Sequence, residues 1–285
     1  MNHKTASLIT VVLLTALSAS ANAFRVTPYV QRPATNAMTI MWLMQEDGQG
    51  TVAWQEIGGT GRGSATTPRL ATEFSYLPSQ TNYPNHFLPF TIPYQHRHRI
   101  TGLKPDTRYR YTVTCGGRTY SNQFRTAPAV ARPFRFICFS DSETQPESTG
   151  YKVTWEDPQD NNSSRKYFID QTTGYASNTA VIVRRSPELL LFAGDLAEMG
   201  SKQVDWDEFW RHNAGPINDL AGSIPFLASP GNHEYHDYFT EAGEMGMRKY
   251  LSYFEFEPNG SPVPEDQQER FHRLDYGKAT FLFLD

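Results

Sequence analysis

Ile224-Pro225-Phe226-Leu227-Ala228-Ser229-Pro230-Gly231-Asn232-His233-Glu234 decides how this chain is read. An apolar run passes through a tight Ser-Pro turn into a glycine and three side chains able to bind or move protons and ions. Two earlier stretches repeat the pattern. Leu189-Leu190-Leu191-Phe192-Ala193 runs into Gly194-Asp195, and Phe134-Arg135-Phe136-Ile137-Cys138-Phe139-Ser140 runs into Asp141-Ser142-Glu143. Short apolar runs that stop at turn residues read as buried strands. Polar groups at their C-terminal ends then gather along one edge of a sheet, where α/β folds place ligands.

Upstream the pattern is different. From Phe24 to Pro128 the chain reads as all-β, with Met38, Ile40 and Trp42 on one strand face at period two. The spacing Leu103-x-Pro105-x-Thr107-x-Tyr109 suits a tyrosine corner, in which a strand-start hydroxyl bonds back across a turn. Gly48 to Tyr94 is rich in turn formers and predicts short strands. His96 and His98 share a strand face, but no acidic partner lies near, so packing is the expectation rather than metal binding. Residues 129–133 carry the linker, stiffened by Pro128 and Pro133 at its borders.

After Pro133 the expected order is strand Phe134–Ser140, helix Ser177–Arg184, strand Glu188–Ala193, helix Asp205–His212 and strand Ile224–Ala228. A strand and turn at Arg273–Lys278 and a last buried strand, Ala279–Leu284, complete it. Trp206, Phe209 and Trp210 recur at helical spacing and predict core. Glu143 to Ser164 reads as a polar surface excursion, with a formal glycosylation sequon at Asn162.

Residues 1–23 have the form of a secretory leader: a weakly basic start, an apolar core and Ala21-Asn22-Ala23 as a cleavage site. The mature chain is expected to begin at Phe24, secreted or periplasmic and without a membrane anchor. Twenty-six basic and 30 acidic residues give a net charge of −4 with no basic run, so nothing points to nucleic acid. Cys115 and Cys138 fall in different expected strands and read as two buried apolar side chains rather than a bridge.

The three polar clusters suit the hydrolysis of a phosphate ester. Two divalent or trivalent ions about 3.5–4 Å apart ionise a shared water and neutralise the phosphoryl oxygens. Asp195 is placed to bridge them, Asp141 to bind one ion and Asn232 the other. Gly194 and Gly231 let the backbone turn closely beside the ions. His233 is the candidate catalytic group, as proton donor to the leaving oxygen or electrophile on the phosphoryl group. Glu234 is expected to orient it.

In this order, the motifs closely resemble the calcineurin-like metallophosphoesterase family. Preceded by a fibronectin type III-like sandwich at residues 24–128, they resemble its purple acid phosphatase branch. The resemblance implies a multidomain chain: the sandwich, then at residues 134–285 an α/β metallophosphoesterase domain of four-layer α/β/β/α type. It also implies a phosphate ester substrate, a phosphomonoesterase reaction of acid phosphatase type using a hydroxide bound by two metal ions, and Fe, Mn or Zn in the site. A phosphodiesterase or nucleotidase of the same superfamily, or a truncated inactive binding module, are the alternatives. Purple enzymes have a tyrosine where this chain has Glu198, so the purple colour is not expected. Glu143 stands where other branches have histidine. Both glutamates are candidate additional ligands, and oxygen donors favour Mn, Mg or Fe. The family's later Gly-His-x-His motif does not occur here; only His236 and His272 follow the signature. The chain is therefore expected to be the N-terminal part of a longer enzyme, with the C-terminal part of the fold missing and an aggregation-prone edge at Phe281–Leu284.

Overall fold

In the computed structural model, residues 24–83, 86–146, 153–156, 166–169, 171–235, 241–257 and 270–285 are described. The leader, the Asn162 sequon and His236 lie outside them. Among the described residues no helix is long and apolar enough to cross a membrane.

The N-terminal half is a two-sheet β-sandwich. Strands β1 (Phe24–Gln31), β2 (Met38–Met44), β5 (Arg69–Leu70) and β6 (Tyr94–Ile100) form one sheet in the order β1-β2-β6-β5. Strands β3 (Gly50–Glu56), β4 (Arg62–Thr66), β7 (Arg108–Cys115) and β8 (Arg118–Arg125) form the other, in the order β4-β3-β7-β8. Met38, Ile40 and Trp42 point between the sheets and pack with Val52, Tyr111 and Phe124. The tyrosine corner forms: the Lys104 amide donates to the Tyr109 hydroxyl at 2.9 Å. His96 is packed, as expected. It stacks on Trp42 at 4.6 Å, bonds Thr66 at 2.9 Å, and burial pushes it down to about 4.

Period two does not account for all of β2, because every residue of the strand is buried. Met41 and Leu43 point away from the sandwich core, into the second domain. There they join Tyr29, Trp206, Trp210 and Phe226 in one apolar cluster. Backbone bonds cross the same seam, from Thr27 to Ala214 and from Val30 to Ala221, both 2.9 Å. A polar cluster completes it. Arg25 pairs with Asp207 at 3.0 Å with both side chains fully buried, and His86 reaches the same carboxylate at 2.8 Å. Arg132 in the linker ties Asp106 of the sandwich to Glu188 of the next domain. The two domains thus share one core.

In the second domain β9 (Phe136–Phe139), β12 (Leu189–Ala193) and β13 (Phe226–Ser229) form a parallel sheet in the order β13-β12-β9. Helices α1 (Gln171–Arg185), α2 (Gln203–Asn213) and α3 (Glu241–Tyr253) accompany it. A hairpin joins β14 (His272–Tyr276) to β15 (Ala279–Phe283). The expected surface excursion contains a second hairpin, β10 (Val153–Glu156) with β11 (Lys166–Ile169).

Three readings need correction. The first strand is not buried: β9 is the edge of its sheet, and Phe136 is 46% exposed. The last strand is not uniformly buried either; it alternates, with Leu282 outward and Phe283 inward. An edge strand lacks a neighbour on one side, and a hairpin covers one face only. Cys138 lies in β9 and is exposed, while Cys115 is buried; both thiols are free.

His272 fills a structural position. It stacks between Phe256 at 3.7 Å and Phe283 at 4.1 Å, and neither ring nitrogen has a hydrogen-bond partner among the described residues. Burial pushes it down to about 3. A histidine whose folded pKa is depressed contributes stability that is present above its free value of about 6.5 and lost as pH falls towards the folded value. Between pH 7.5 and pH 4.5, wild type should therefore lose about 2–3 kcal/mol more stability than His272→Phe, at 1.36 kcal/mol per unit. Urea unfolding at the two pH values measures the difference; equal losses would refute the assignment.

Candidate metal centre

The parallel register brings the strand ends together. Phe192 of β12 pairs with Phe139 of β9, and Ala193 pairs with Ser229 of β13. The loops that follow therefore leave the sheet side by side. Backbone bonds stitch the first two: Asp141 to Gly194 at 3.2 Å, Glu143 to Asp195 at 3.1 Å and Thr144 to Leu196 at 3.2 Å. Asp141, Glu143 and Asp195 all adopt positive φ, at 56°, 38° and 56°. Left-handed backbone is uncommon outside glycine and is retained where surrounding structure over-determines it. Three such residues at one sheet edge mark a site whose side-chain directions are imposed.

The third loop is fixed by Glu234, which is fully buried. Its carboxylate accepts the amides of Gly231 at 2.8 Å, Leu196 at 2.9 Å, Asp195 at 3.0 Å and Ala197 at 3.3 Å. The expected role of orienting the His233 ring is thus corrected. Glu234 locks the backbone of two loops together, and its oxygens are directed at amides instead of the imidazole. Burial is the larger influence on its acidity and lifts it to about 7, while the four amides pull the other way.

The His233 ring takes its orientation from Glu198. Its Nδ1 donates to the Glu198 carbonyl at 2.6 Å, and its own amide donates to Asp195 Oδ1 at 3.0 Å. Nε2 is left facing the carboxylates, 3.7 Å from Glu143 Oε1. Burial tends to lower the His233 pKa, but the Glu198 carbonyl and the charges of Glu143, Asp195 and Glu198 outweigh it and raise it.

One cluster with metal-binding spacing results among the described residues. Ligand atoms of Glu143, Asp195 and His233 all lie within 4.8 Å of one another. Two carboxylates and an imidazole, all half-buried, form a donor set suited to Mn, Fe or Zn. Glu143 thus joins Asp195 and His233 directly. Asp141 shares the first loop with Glu143 but lies outside that trio, and Asn232 immediately precedes His233 in the third loop. Glu198 contributes its backbone to the site through His233.

Three glycines permit close backbone approaches around the site. A Cβ on Gly231 would lie 2.3 Å from Asp195 Oδ1, as its expected tight turn requires. A Cβ on Gly200 would lie 2.5 Å from the Glu234 carbonyl, and one on Gly246 only 2.1 Å from it. Nothing in the spacing of Gly200 or Gly246 announces these contacts, because they are made between backbones distant in sequence.

The order of these loops is matched in sequence over residues 134–280 by the calcineurin-like phosphoesterase family. The chain belongs to that family. Its residues 24–127, ahead of the α/β domain, match the N-terminal domain of purple acid phosphatases. Solved structures agree in fold. Purple acid phosphatase PPD1 from yellow lupin (Lupinus luteus) seeds superposes with a TM-score of 0.61 at 16% identity, over 93% of this chain and 46% of that one. A PhoD structure gives a TM-score of 0.58 at 13% identity, over 95% of this chain and 53% of that one. The chain therefore spans about half the length of both. No curated protein shows significant sequence similarity to it.

Proposed function

We propose that this chain carries the site of a metal-dependent phosphoric monoester hydrolase of acid phosphatase type. The observation that supports the reading best is the convergence of Glu143, Asp195 and His233 within 4.8 Å at the ends of three adjacent loops. Asp195 and Glu143 would hold the metal, with Asp141 and Asn232 as flanking ligands. When bound, a pair of Fe, Mn or Zn ions supplies ionised water and neutralises charge on the phosphoryl oxygens. The chain's own residues supply the rest. Asp195 Oδ1 holds the His233 amide, and the Glu198 carbonyl holds Nδ1, so Nε2 is the atom presented to the leaving oxygen. Held in that way, Nε2 is placed to protonate that oxygen as the ester bond breaks. Glu234 keeps the loops in place through their amides. The leader-like residues 1–23 support export to a secreted or periplasmic location.

Release of p-nitrophenol from p-nitrophenyl phosphate and from bis-p-nitrophenyl phosphate, with Mn, Fe or Zn supplied, tests the reading. The monoester should be cleaved faster, and chelation should abolish the reaction. Faster cleavage of the diester would make the protein a phosphodiesterase. Failure on both would leave an inactive binding module and defeat the proposal.

A further inference from the structure

Helix α3 touches both the candidate centre and the sandwich. Gly246 lies against the Glu234 carbonyl, so close that a Cβ would sit 2.1 Å from that oxygen and 3.2 Å from the Ser201 nitrogen. One turn on, the Tyr250 hydroxyl donates to the carbonyl of Ala228 at 2.6 Å, three residues ahead of Gly231. Between them Lys249 is fully buried and points the other way. Its ammonium donates to the carbonyls of Glu73 at 2.7 Å and Ser75 at 2.9 Å, both in the sandwich, and to Gln203 of α2 at 3.1 Å. Burying an ammonium is costly unless it is well bonded, and a Leu or Met would pack at such a seam at less cost. Lys249 instead tethers the helix to backbone atoms of the other domain. Positions 246, 249 and 250 lie within about one turn of the same helix, so a tether at 249 restrains the backbone that carries the contacts at 246 and 250.

We propose that α3 is a strut that transmits the packing of the sandwich to the Gly231–Glu234 turn, with Lys249 as its anchoring, positioning residue. The sandwich then does more than share a core with the phosphoesterase domain: it holds the loop that presents His233. This deepens the proposed function and rests on it for its catalytic meaning.

Hydrogen exchange on the metal-free chain tests the strut without relying on hydrolysis. The reporters are the amides of Asp195, Leu196, Ala197 and Gly231, which Glu234 binds. Lys249→Met and Tyr250→Phe are compared with Val52→Ala, a change in the far sandwich core, at denaturant concentrations that equalise global stability. Tyr250→Phe should speed exchange at the four amides roughly 5-fold relative to Val52→Ala, the change that one lost hydrogen bond makes in an opening equilibrium. Lys249→Met, which removes three, should speed it more. If Lys249→Met does not fold, Tyr250→Phe decides alone. Exchange no faster in Tyr250→Phe than in Val52→Ala would overturn the proposal, whatever the outcome of the hydrolysis assays.

Discussion

Glu234→Gln is expected to destabilise the protein by about 3 kcal/mol or more at pH 7.5. The carboxylate has two acceptor oxygens and four amide donors around it, from Gly231, Asp195, Leu196 and Ala197. Glutamine offers one oxygen and an NH2 group that turns donor against donor. At least two amides lose their acceptor, and a buried unsatisfied donor costs about 1–3 kcal/mol. Part of that cost is offset, because burial already disfavours the charged carboxylate and lifts it to about 7. The balance still favours a large loss, since the site can shift little: Gly200 and Gly246 both press on the Glu234 backbone. Chemical unfolding of the variant measures it. A loss below about 0.5 kcal/mol, the range of neutral surface changes, would show that the four amides find other partners.

His233→Ala should leave stability nearly unchanged and strike turnover instead. The imidazole is half-buried, and its Nδ1 bonds a main-chain carbonyl at the rim of the site, so the fold depends little on it. A positioned general acid contributes typically 10²–10⁴-fold to rate, and loss of that order is expected in kcat. The leaving group provides the internal control. p-Nitrophenolate departs readily without a proton, whereas an alkyl alkoxide does not. The variant should therefore lose more on an alkyl phosphate than on p-nitrophenyl phosphate. Equal losses on both esters would assign His233 to binding rather than proton transfer.

Much of the fold was legible because period and punctuation are local. Met38, Ile40 and Trp42 announced a sandwich strand, and three apolar runs ending in Asp141, Asp195 and Gly231 announced a sheet with a loaded edge. Other features depend on contacts far apart in sequence. Met41 and Leu43 are buried because a second domain covers the face that alternation assigned to solvent. Phe136 is exposed because β9 is an edge, which no local pattern reveals. Helix α3 gave no clear signal: three of its buried residues are Gly243, Gly246 and Lys249, which do not read as an apolar face. The site residues were named from motif order, while their tasks came from geometry. Glu143 was a secondary candidate and lies inside the cluster. Glu234 was assigned to a ring and binds backbone. The ring is held by the carbonyl of Glu198, and a carbonyl has no sequence signature at all.

Mn2+ binding by calorimetric titration of wild type against Asp195→Asn tests the central claim most directly. The asparagine keeps Oδ1 for the His233 amide, so the loops should stay ordered, but it removes the charge at the middle of the cluster. The wild type should bind Mn2+ and the variant should bind it at least about 100-fold more weakly, beyond the 10–100-fold typical of partners that only support a ligand. Equal affinity in the two proteins, or no binding by the wild type, would contradict the assignment of Asp195 and Glu143 as metal ligands beside His233.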